Sequence, residues 1–208
     1  MKIYRILDEV FRTWSNIAVL RALIDTNTGY TGNEVARLSG MQPRSAIKAL
    51  TLLENLGLVK RQIGGRDHIF SLNRKHYLYN GVIVKLFEIE NNFLNEIINE
   101  IKSLLDKQVY SSVIFGSTAR KEDTVLSDFD ICIIVNSSTE QKILRDVLNQ
   151  HSGYFYEKFG IKIAPIFFTK SKFQKLKKSK LFKSIVNDGI LISGKHPKGL
   201  ISGSTQRI

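Results

Sequence analysis

The chain has 208 residues, 43% of them hydrophobic, and its 31 Lys and Arg against 19 Asp and Glu give a formal net charge of +12 at pH 7. This composition excludes an intrinsically disordered chain, because it supplies enough apolar side chain for one large or two small packed cores, and it favours an anionic partner. No apolar run approaches the ~20 residues of a membrane span and no hydrophobic segment follows the charged N-terminus, so we expect a cytoplasmic protein without a membrane segment. The single cysteine, Cys132, excludes a disulfide framework and is expected to be a buried thiol, since it lies in an apolar run.

Helical periodicity dominates the first part of the chain. Apolar side chains recur at spacings of three and four over residues 7–24, which predicts one long amphipathic helix. Thr31 and Glu34 have the spacing of a capping box, so a short helix is expected to begin there and to end before Gly40. A third helix is predicted from Pro43, because proline is favoured in a first turn and an apolar stripe follows.

A hairpin is predicted after these helices, with strands at 58–63 and 68–72 around the turn Gly64-Gly65-Arg66-Asp67. The three helices and the hairpin, with Ala36-Arg37-Leu38-Ser39-Gly40 and Leu56-Gly57-Leu58-Val59, resemble a winged helix-turn-helix domain of the MarR and ArsR type over residues 8–73. We therefore expect a winged helix domain at residues 1–80.

In such a domain the third helix enters the major groove of DNA by its N-terminal end. The resemblance implies DNA contacts from that helix and from the hairpin, at Gln42, Arg44, Ser45, Lys48, Arg61 and Arg66. The alternative is a domain used for protein contacts or dimerisation. Arg44 and Lys48 are the cations of the third helix, and two cations do not define base recognition.

Residues 81–107 are predicted to form a connecting helix. An apolar stripe runs from Leu86 to Leu105 and is interleaved with glutamates. Such a helix either packs on one of the two domains or pairs with a second copy of the chain. We favour a homodimer, because winged helix proteins commonly dimerise through helices of this kind.

Residues 116–130 are the most informative segment of the chain, and they lie between the apolar runs 113–115 and 131–135. Gly116 and Ser117 follow a predicted strand directly, where a tight turn exposes backbone N–H groups and the Ser117 hydroxyl to phosphate oxygens. Asp128 and Asp130 have the period-two spacing of a strand, so both carboxylates are expected on one face. Two carboxylates beside a phosphate-binding turn suit Mg²⁺, which takes one or two carboxylates, waters and substrate phosphates.

The order Gly116-Ser117-x-Ala119-Arg120, then Ser127-Asp128-x-Asp130, resembles the signature of the DNA polymerase beta-like nucleotidyltransferase superfamily over residues 108–192. Its minimal nucleotidyltransferases are the most similar. The resemblance implies a domain at residues 108–194 that transfers a nucleotidyl group, with AMP from ATP as the first expectation. It implies Mg²⁺ on the catalytic residues Asp128 and Asp130, and nucleotide contacts from Gly116, Ser117, Arg120, Lys121 and Ser127. In the minimal family the partner is often a HEPN-type toxin, so a toxin–antitoxin pair or another protein acceptor is implied.

Two positions depart from the family pattern. A third carboxylate usually stands four residues after a glycine on a later strand, but Gly160 leads here to Ala164, and no acid lies between Glu157 and Asp188. Lys121 stands where the minimal family commonly has glycine. Without the third acid, no residue is an obvious general base, so a second hypothesis stays open. In that hypothesis the protein is a DNA-binding transcriptional regulator whose degenerate nucleotidyltransferase domain senses nucleotide.

The sequence therefore predicts a two-domain α/β (α+β) protein, whose second domain has a small mixed sheet built from strands near 110–115, 129–135 and 161–168. Residues 170–183 contain seven lysines and no acid. This segment is either the solvated face of a helix or a surface for phosphate backbones or an acidic partner. Residues 195–208 lack periodicity and are expected to form a loose tail.

Overall fold

The computed structural model describes residues 3–64, 67–105, 109–177 and 179–202. The chain divides into two compact units, Met1–Phe93 and Leu94–Ile208. Helices are combined with two small sheets, so the mixed α/β fold class expected from the sequence is confirmed. Within the described ranges, no helix has both the length and the apolar character that crossing a bilayer requires.

The first unit combines short helices with a three-stranded antiparallel sheet of order β1-β3-β2. Its elements in chain order are α1 (Ile6–Val10), α2 (Trp14–Ile24), β1 (Tyr30–Thr31), α3 (Gly32–Leu38), α4 (Pro43–Asn55), β2 (Val59–Gly64), β3 (Asp67–Leu72) and a π-helical turn (Tyr79–Ile83). This order of elements is compatible with a winged helix.

Local signals in the sequence set two of these helix starts as predicted. The Thr31 hydroxyl accepts the backbone N–H of Glu34 at 3.3 Å, and the Glu34 carboxylate accepts the backbone N–H of Thr31 at 2.8 Å. This reciprocal pair is the capping box that starts α3. Pro43 occupies the first turn of α4, where its missing N–H would have no partner within the helix.

The long helix expected over residues 7–24 is wrong, because the structure has α1 and α2 with a break between them. Thr13 has extended backbone at the start of α2. Asn16 is 1% exposed, and its side-chain amide donates to the Glu9 carbonyl at 3.0 Å, whereas Leu7 and Trp14 of the predicted stripe are exposed. A buried polar contact, which apolar periodicity does not report, therefore fixes the path of the chain here.

The hairpin is present as predicted, with the register running from Val59 opposite Leu72 to Gly64 opposite Asp67. Residues 65 and 66 of its turn lie outside the described residues. Buried apolar side chains from the helices and the hairpin form one core, among them Val19, Leu20, Leu23, Leu50, Leu53 and Phe70. Burial of this kind of surface is the main force that holds the unit together.

Helix α5 (Val84–Leu105) lies within residues 81–107, where a connecting helix is predicted. Phe87 near its start is buried in the core of the first unit, and Ile97, Ile101 and Leu105 near its end are buried in a core of the second unit. Leu86 and Ile89 remain exposed. The apolar stripe of this helix is therefore used partly in each unit.

The second unit contains a four-stranded mixed sheet of order β6-β5-β4-β7, in which β5 and β6 are parallel and the other pairs are antiparallel. After α5 its elements are β4 (Ser111–Ile114), α6 (Gly116–Arg120), β5 (Phe129–Val135), α7 (Ser138–Phe159), β6 (Ile163–Thr169), α8 (Lys170–Lys175), α9 (Lys180–Asn187), β7 (Ile190–Gly194) and α10 (Gly199–Ser202). Three of the strands match predicted ones, whereas β7 was not predicted.

Side chains of β5 alternate between two cores on opposite faces of this sheet. Ile131 and Ile133 pack with Leu144 and Leu148 of α7 on one face. Cys132 packs on the other face with Phe173 of α8 and with α9, and burial raises the pKa of its thiol to about 12, so the expected buried thiol is confirmed. Leu200, in the segment expected to be a loose tail, is buried in this second core.

Candidate functional site

Gly116 lies directly against the carboxylate of Asp130. It follows β4 and Phe115 and has a φ of 75°, in the left-handed region that glycine adopts without strain. A Cβ built on Gly116 would overlap Oδ2 of Asp130 and would stand 3.2 Å from its Cγ. Glycine is therefore required here both by its backbone conformation and by the carboxylate beside it.

Asp130 and Asp128 stand at the amino end of β5. Asp130 is the second residue of the strand and is half-buried, whereas Asp128 precedes the strand and is exposed. Burial and the negative charge of Asp128 raise the pKa of the Asp130 carboxyl, and Arg120 opposes this shift. A half-buried carboxylate with a second carboxylate beside it is a place where a cation is favourable.

Lys162 is a residue of this site that the sequence analysis missed. Its Nζ lies 3.4 Å from Oδ1 of Asp128, and its backbone carbonyl accepts the N–H of Phe129 at 2.8 Å. The two residues meet because β5 and β6 run parallel and begin side by side. Helix α7 separates them in the sequence, so no local pattern pointed to the pair.

Ala164 is the register partner of Asp130 on the neighbouring strand. Partners in a parallel pair project from the same face of a sheet, so Ala164 lies beside Asp130 without offering a ligand. Strand β6 is an edge strand, which is where the following Pro165 is tolerated.

Among the described residues, no three His, Cys, Asp or Glu side chains group as a metal site. Asp128 and Asp130 alone fit one Mg²⁺ whose other ligands are waters and phosphate oxygens.

Arg120, Lys121 and Ser127 are further predicted nucleotide contacts. Arg120 is exposed and its Nε donates to Glu122 at 2.8 Å, which is the main cause of its raised pKa. Lys121 has a φ of 59°, in the left-handed region that glycine adopts without strain. The Ser127 hydroxyl accepts the N–H of Thr124 at 3.0 Å and so holds the loop before Asp128.

Asp188 is a further acid whose charge acts on Arg120. Asp188 and Asp130 both contribute to the raised pKa of the Arg120 guanidinium, after Glu122. Ile190 pairs with Ile114, so the residues just before β7 lie at the same end of the sheet as Gly116. Asp188 is not among the predicted site residues, because β7 was not predicted.

The predicted DNA contacts of α4 lie on one exposed surface of the first unit. Gln42, Arg44, Ser45 and Lys48 are all exposed. Ser45 and Lys48 also line a cavity of about 560 Å³ together with Arg12 and Thr13. The predicted residues of this helix are therefore all accessible to solvent.

The predicted hairpin contacts are placed differently. The Arg61 guanidinium donates to the Glu54 carboxylate and lies over the ring of Phe70, 5.3 Å from its centroid. A phosphate would have to compete with that carboxylate for Arg61. Arg66 lies outside the described residues.

Comparison with known proteins finds similarity mainly in the second unit. Residues 94–191 match the family model for the nucleotidyltransferase domain, and the match begins within α5. A curated relative from Methanocaldococcus jannaschii, named "Putative protein adenylyltransferase MJ1305", is 31% identical over 81 residues, which are 36% of this chain and 52% of that protein. The chain thus spans about half the length of this relative.

Among solved structures, the chain is similar to TrmBL2, described as an archaeal chromatin protein with a novel mode of DNA binding. The sequence identity is 16%, the alignment covers 86% of this chain and 72% of that chain, and the TM-score is 0.28. A likeness at this TM-score supports no argument about fold or function.

Proposed function

We propose that the protein transfers a nucleotidyl group, AMP, from a nucleoside triphosphate to an acceptor, with Mg²⁺ held by Asp128 and Asp130. The observation that carries the proposal is the packing of Gly116 against the Asp130 carboxylate at the amino end of β5. A phosphate-binding turn and a metal-binding carboxylate are useful together only when they are this close, because Mg²⁺ bridges the phosphates it binds.

Each residue of this site has its own role in the proposed reaction. Gly116 lets the backbone approach the triphosphate, Ser117 offers a hydroxyl donor, and Arg120 and Lys121 add positive charge. Ser127 holds the loop that presents Asp128. A bound Mg²⁺ would neutralise the triphosphate and stabilise the departing pyrophosphate. The oxygen of an acceptor hydroxyl forms a new bond to the α-phosphorus while the bond to pyrophosphate breaks, and the hydroxyl proton passes to solvent water.

Ala164 distinguishes this site from the family pattern, and Lys162 adds a positive charge beside it. With alanine in register with Asp130, the site has two carboxylates for a cation. Lys162 partly neutralises Asp128 and lies where its ammonium reaches the same region as the metal. We infer a one-metal site, in which Lys162 contributes part of the positive charge.

We propose a protein side chain as the acceptor, since the curated relative is named as a protein adenylyltransferase. A HEPN-type toxin, as in the minimal family, is a candidate of this class. The test is incubation of the full chain with Mg²⁺ and a triphosphate labelled at the α-phosphate. Label should appear on a protein acceptor with the parent chain and not with Asp128→Asn. Label that appears equally with both would refute the assignment.

A DNA-binding, nucleotide-sensing regulator is the second candidate, favoured by Ala164 in the place of the third carboxylate. In this proposal the first unit is a winged helix that binds DNA through Gln42, Arg44, Ser45 and Lys48, which are exposed together on α4. A homodimer through α5 is part of the same proposal, since Leu86 and Ile89 are exposed on that helix. Nucleotide-dependent DNA binding without any transfer of label would favour this candidate.

A further inference from the structure

The parallel strands β5 and β6 lead to helices on opposite faces of the sheet. Helix α7, after β5, packs on the face of Ile131 and Ile133, whereas α8, after β6, packs on the face of Cys132. When the helices that follow two neighbouring parallel strands diverge in this way, a crevice forms outside the carboxyl ends of the strands. Such crevices are common ligand sites in α/β sheets.

A cavity of about 320 Å³ occupies this crevice. The first two turns of α7 and the first turn of α8 line it, through Ser138, Gln141, Lys142, Arg145 and Lys172. Of these lining residues, three carry a positive charge and none carries a carboxylate. Within the described part of the chain, the three cations form no ion pair with any acid.

Packing holds one of these cations in place. The Arg145 guanidinium lies over the ring of Phe167, 4.9 Å from its centroid, on strand β6. Lys142 and Lys172 are exposed and free to turn toward a ligand. Three positive charges that line one cavity without an ion pair repel one another, and an anion in the cavity reduces that repulsion.

The crevice is separate from the site of Asp128 and Asp130. The two carboxylates stand at the amino end of β5 and the crevice at its carboxyl end, and seven strand residues at about 3.3 Å each separate the two sites by roughly 20 Å. A triphosphate bound at Asp130 does not reach this far. The crevice therefore needs a ligand of its own.

We propose that this crevice binds phosphate groups of a single-stranded nucleic acid. Hydroxyl, amide, ammonium and guanidinium groups line it, which are the groups that bind phosphate. It lacks the aromatic or apolar centre typical of a protein interface. Exposed cations continue along α8 and α9, at Lys175, Lys180 and Lys183, so a strand of several phosphates finds more contacts than a single nucleotide. The inference does not depend on the proposed nucleotidyl transfer.

The test measures binding of a fluorescent single-stranded oligouridylate to the full chain by anisotropy over a series of salt concentrations. Lys142→Gln, Arg145→Gln and Lys172→Gln together should weaken binding roughly tenfold and lower the salt slope by about two. The matched control is Lys75→Gln, Lys85→Gln and Lys102→Gln, exposed lysines elsewhere with the same change of charge, which should stay close to the parent. Lys142→Gln with Lys172→Gln, which keeps the Arg145 packing, should give an intermediate loss.

Competitors identify the source of the phosphate. Unlabelled oligouridylate should displace the probe far better than tripolyphosphate or polyglutamate at equal charge. Better displacement by tripolyphosphate would mean that the crevice binds a free phosphorylated molecule. Better displacement by polyglutamate would mean that it binds an acidic protein. Either result overturns the proposal. Equal binding by the target and control triple variants overturns it as well. Asp128→Asn with Asp130→Asn should leave oligouridylate binding unchanged, so this test and the test of transfer fail separately.

Discussion

Gly116 and Asp130 are packed so closely that no side chain fits between the turn and the carboxylate. The first is fixed by the end of β4 and the second by the start of β5, two antiparallel neighbours. Their contact joins the turn and the acids into one site, although 13 residues separate them in the chain.

Replacing Gly116 should damage this site specifically. Gly116→Ala forces an L-residue into the left-handed region at about 1–2 kcal/mol and pushes Asp130 aside. We expect Mg-triphosphate affinity to fall roughly tenfold or more. The measurement is calorimetric titration. Gly153→Ala is the matched control, since Gly153 lies within α7 with open space around it, and it should stabilise the fold by about 0.5–1 kcal/mol. Unchanged triphosphate affinity in Gly116→Ala would show that the turn does not hold the nucleotide.

Lys121→Gly should stabilise the protein. Lys121 is in the left-handed conformation, and glycine removes about 1 kcal/mol of strain there. The measurement is the free energy of unfolding in urea. The control is Lys102→Gly within α5, which should destabilise by a similar amount because glycine is a poor helix former. A loss of stability in Lys121→Gly would mean that the lysine side chain contributes more than its backbone costs.

Ala164→Asp should add the third carboxylate of the family pattern. Neighbouring strands lie about 4.8 Å apart, so the new carboxylate stands beside Asp130. Without metal it should lower the thermal stability, because like charges crowd the site, and Mg²⁺ should restore that stability. Thermal unfolding at increasing Mg²⁺ concentration tests this, with Ala164→Asn as the uncharged control. If Mg²⁺ shifts both variants equally, position 164 does not face the metal.

Lys162→Gln should strengthen binding of Mg²⁺ in the absence of nucleotide. The Lys162 ammonium and the metal compete for Asp128, and an exposed pair of this kind is worth about 0.2–1 kcal/mol, or roughly 1.4- to fivefold in affinity. Lys102→Gln carries the same change of charge on α5 and serves as the control. Weaker Mg²⁺ binding in Lys162→Gln would contradict the competition.

The sequence predicts those features whose cause lies within a few neighbouring residues of the chain. The capping box of Thr31 and Glu34, the hairpin and the turn at Gly116 are encoded within a few residues. Lys162 beside Asp128 and the crevice between α7 and α8 arise from parallel pairing of β5 and β6 across a long helix, which no local pattern reports. The break between α1 and α2 depends on a single buried hydrogen bond of Asn16, and periodicity does not detect it.

Calorimetric titration of the full chain with ATP, GTP, CTP and UTP, with and without Mg²⁺, measures whether Asp128 and Asp130 hold the metal that binds the triphosphate. We expect Mg²⁺-dependent binding in the parent, its loss in Asp128→Asn with Asp130→Asn, and its retention in Arg44→Ala, whose side chain belongs to the first unit. The double variant should be as stable as the parent or slightly more so, because two neighbouring like charges are removed. Mg-triphosphate binding of equal strength in the folded double variant would contradict the account.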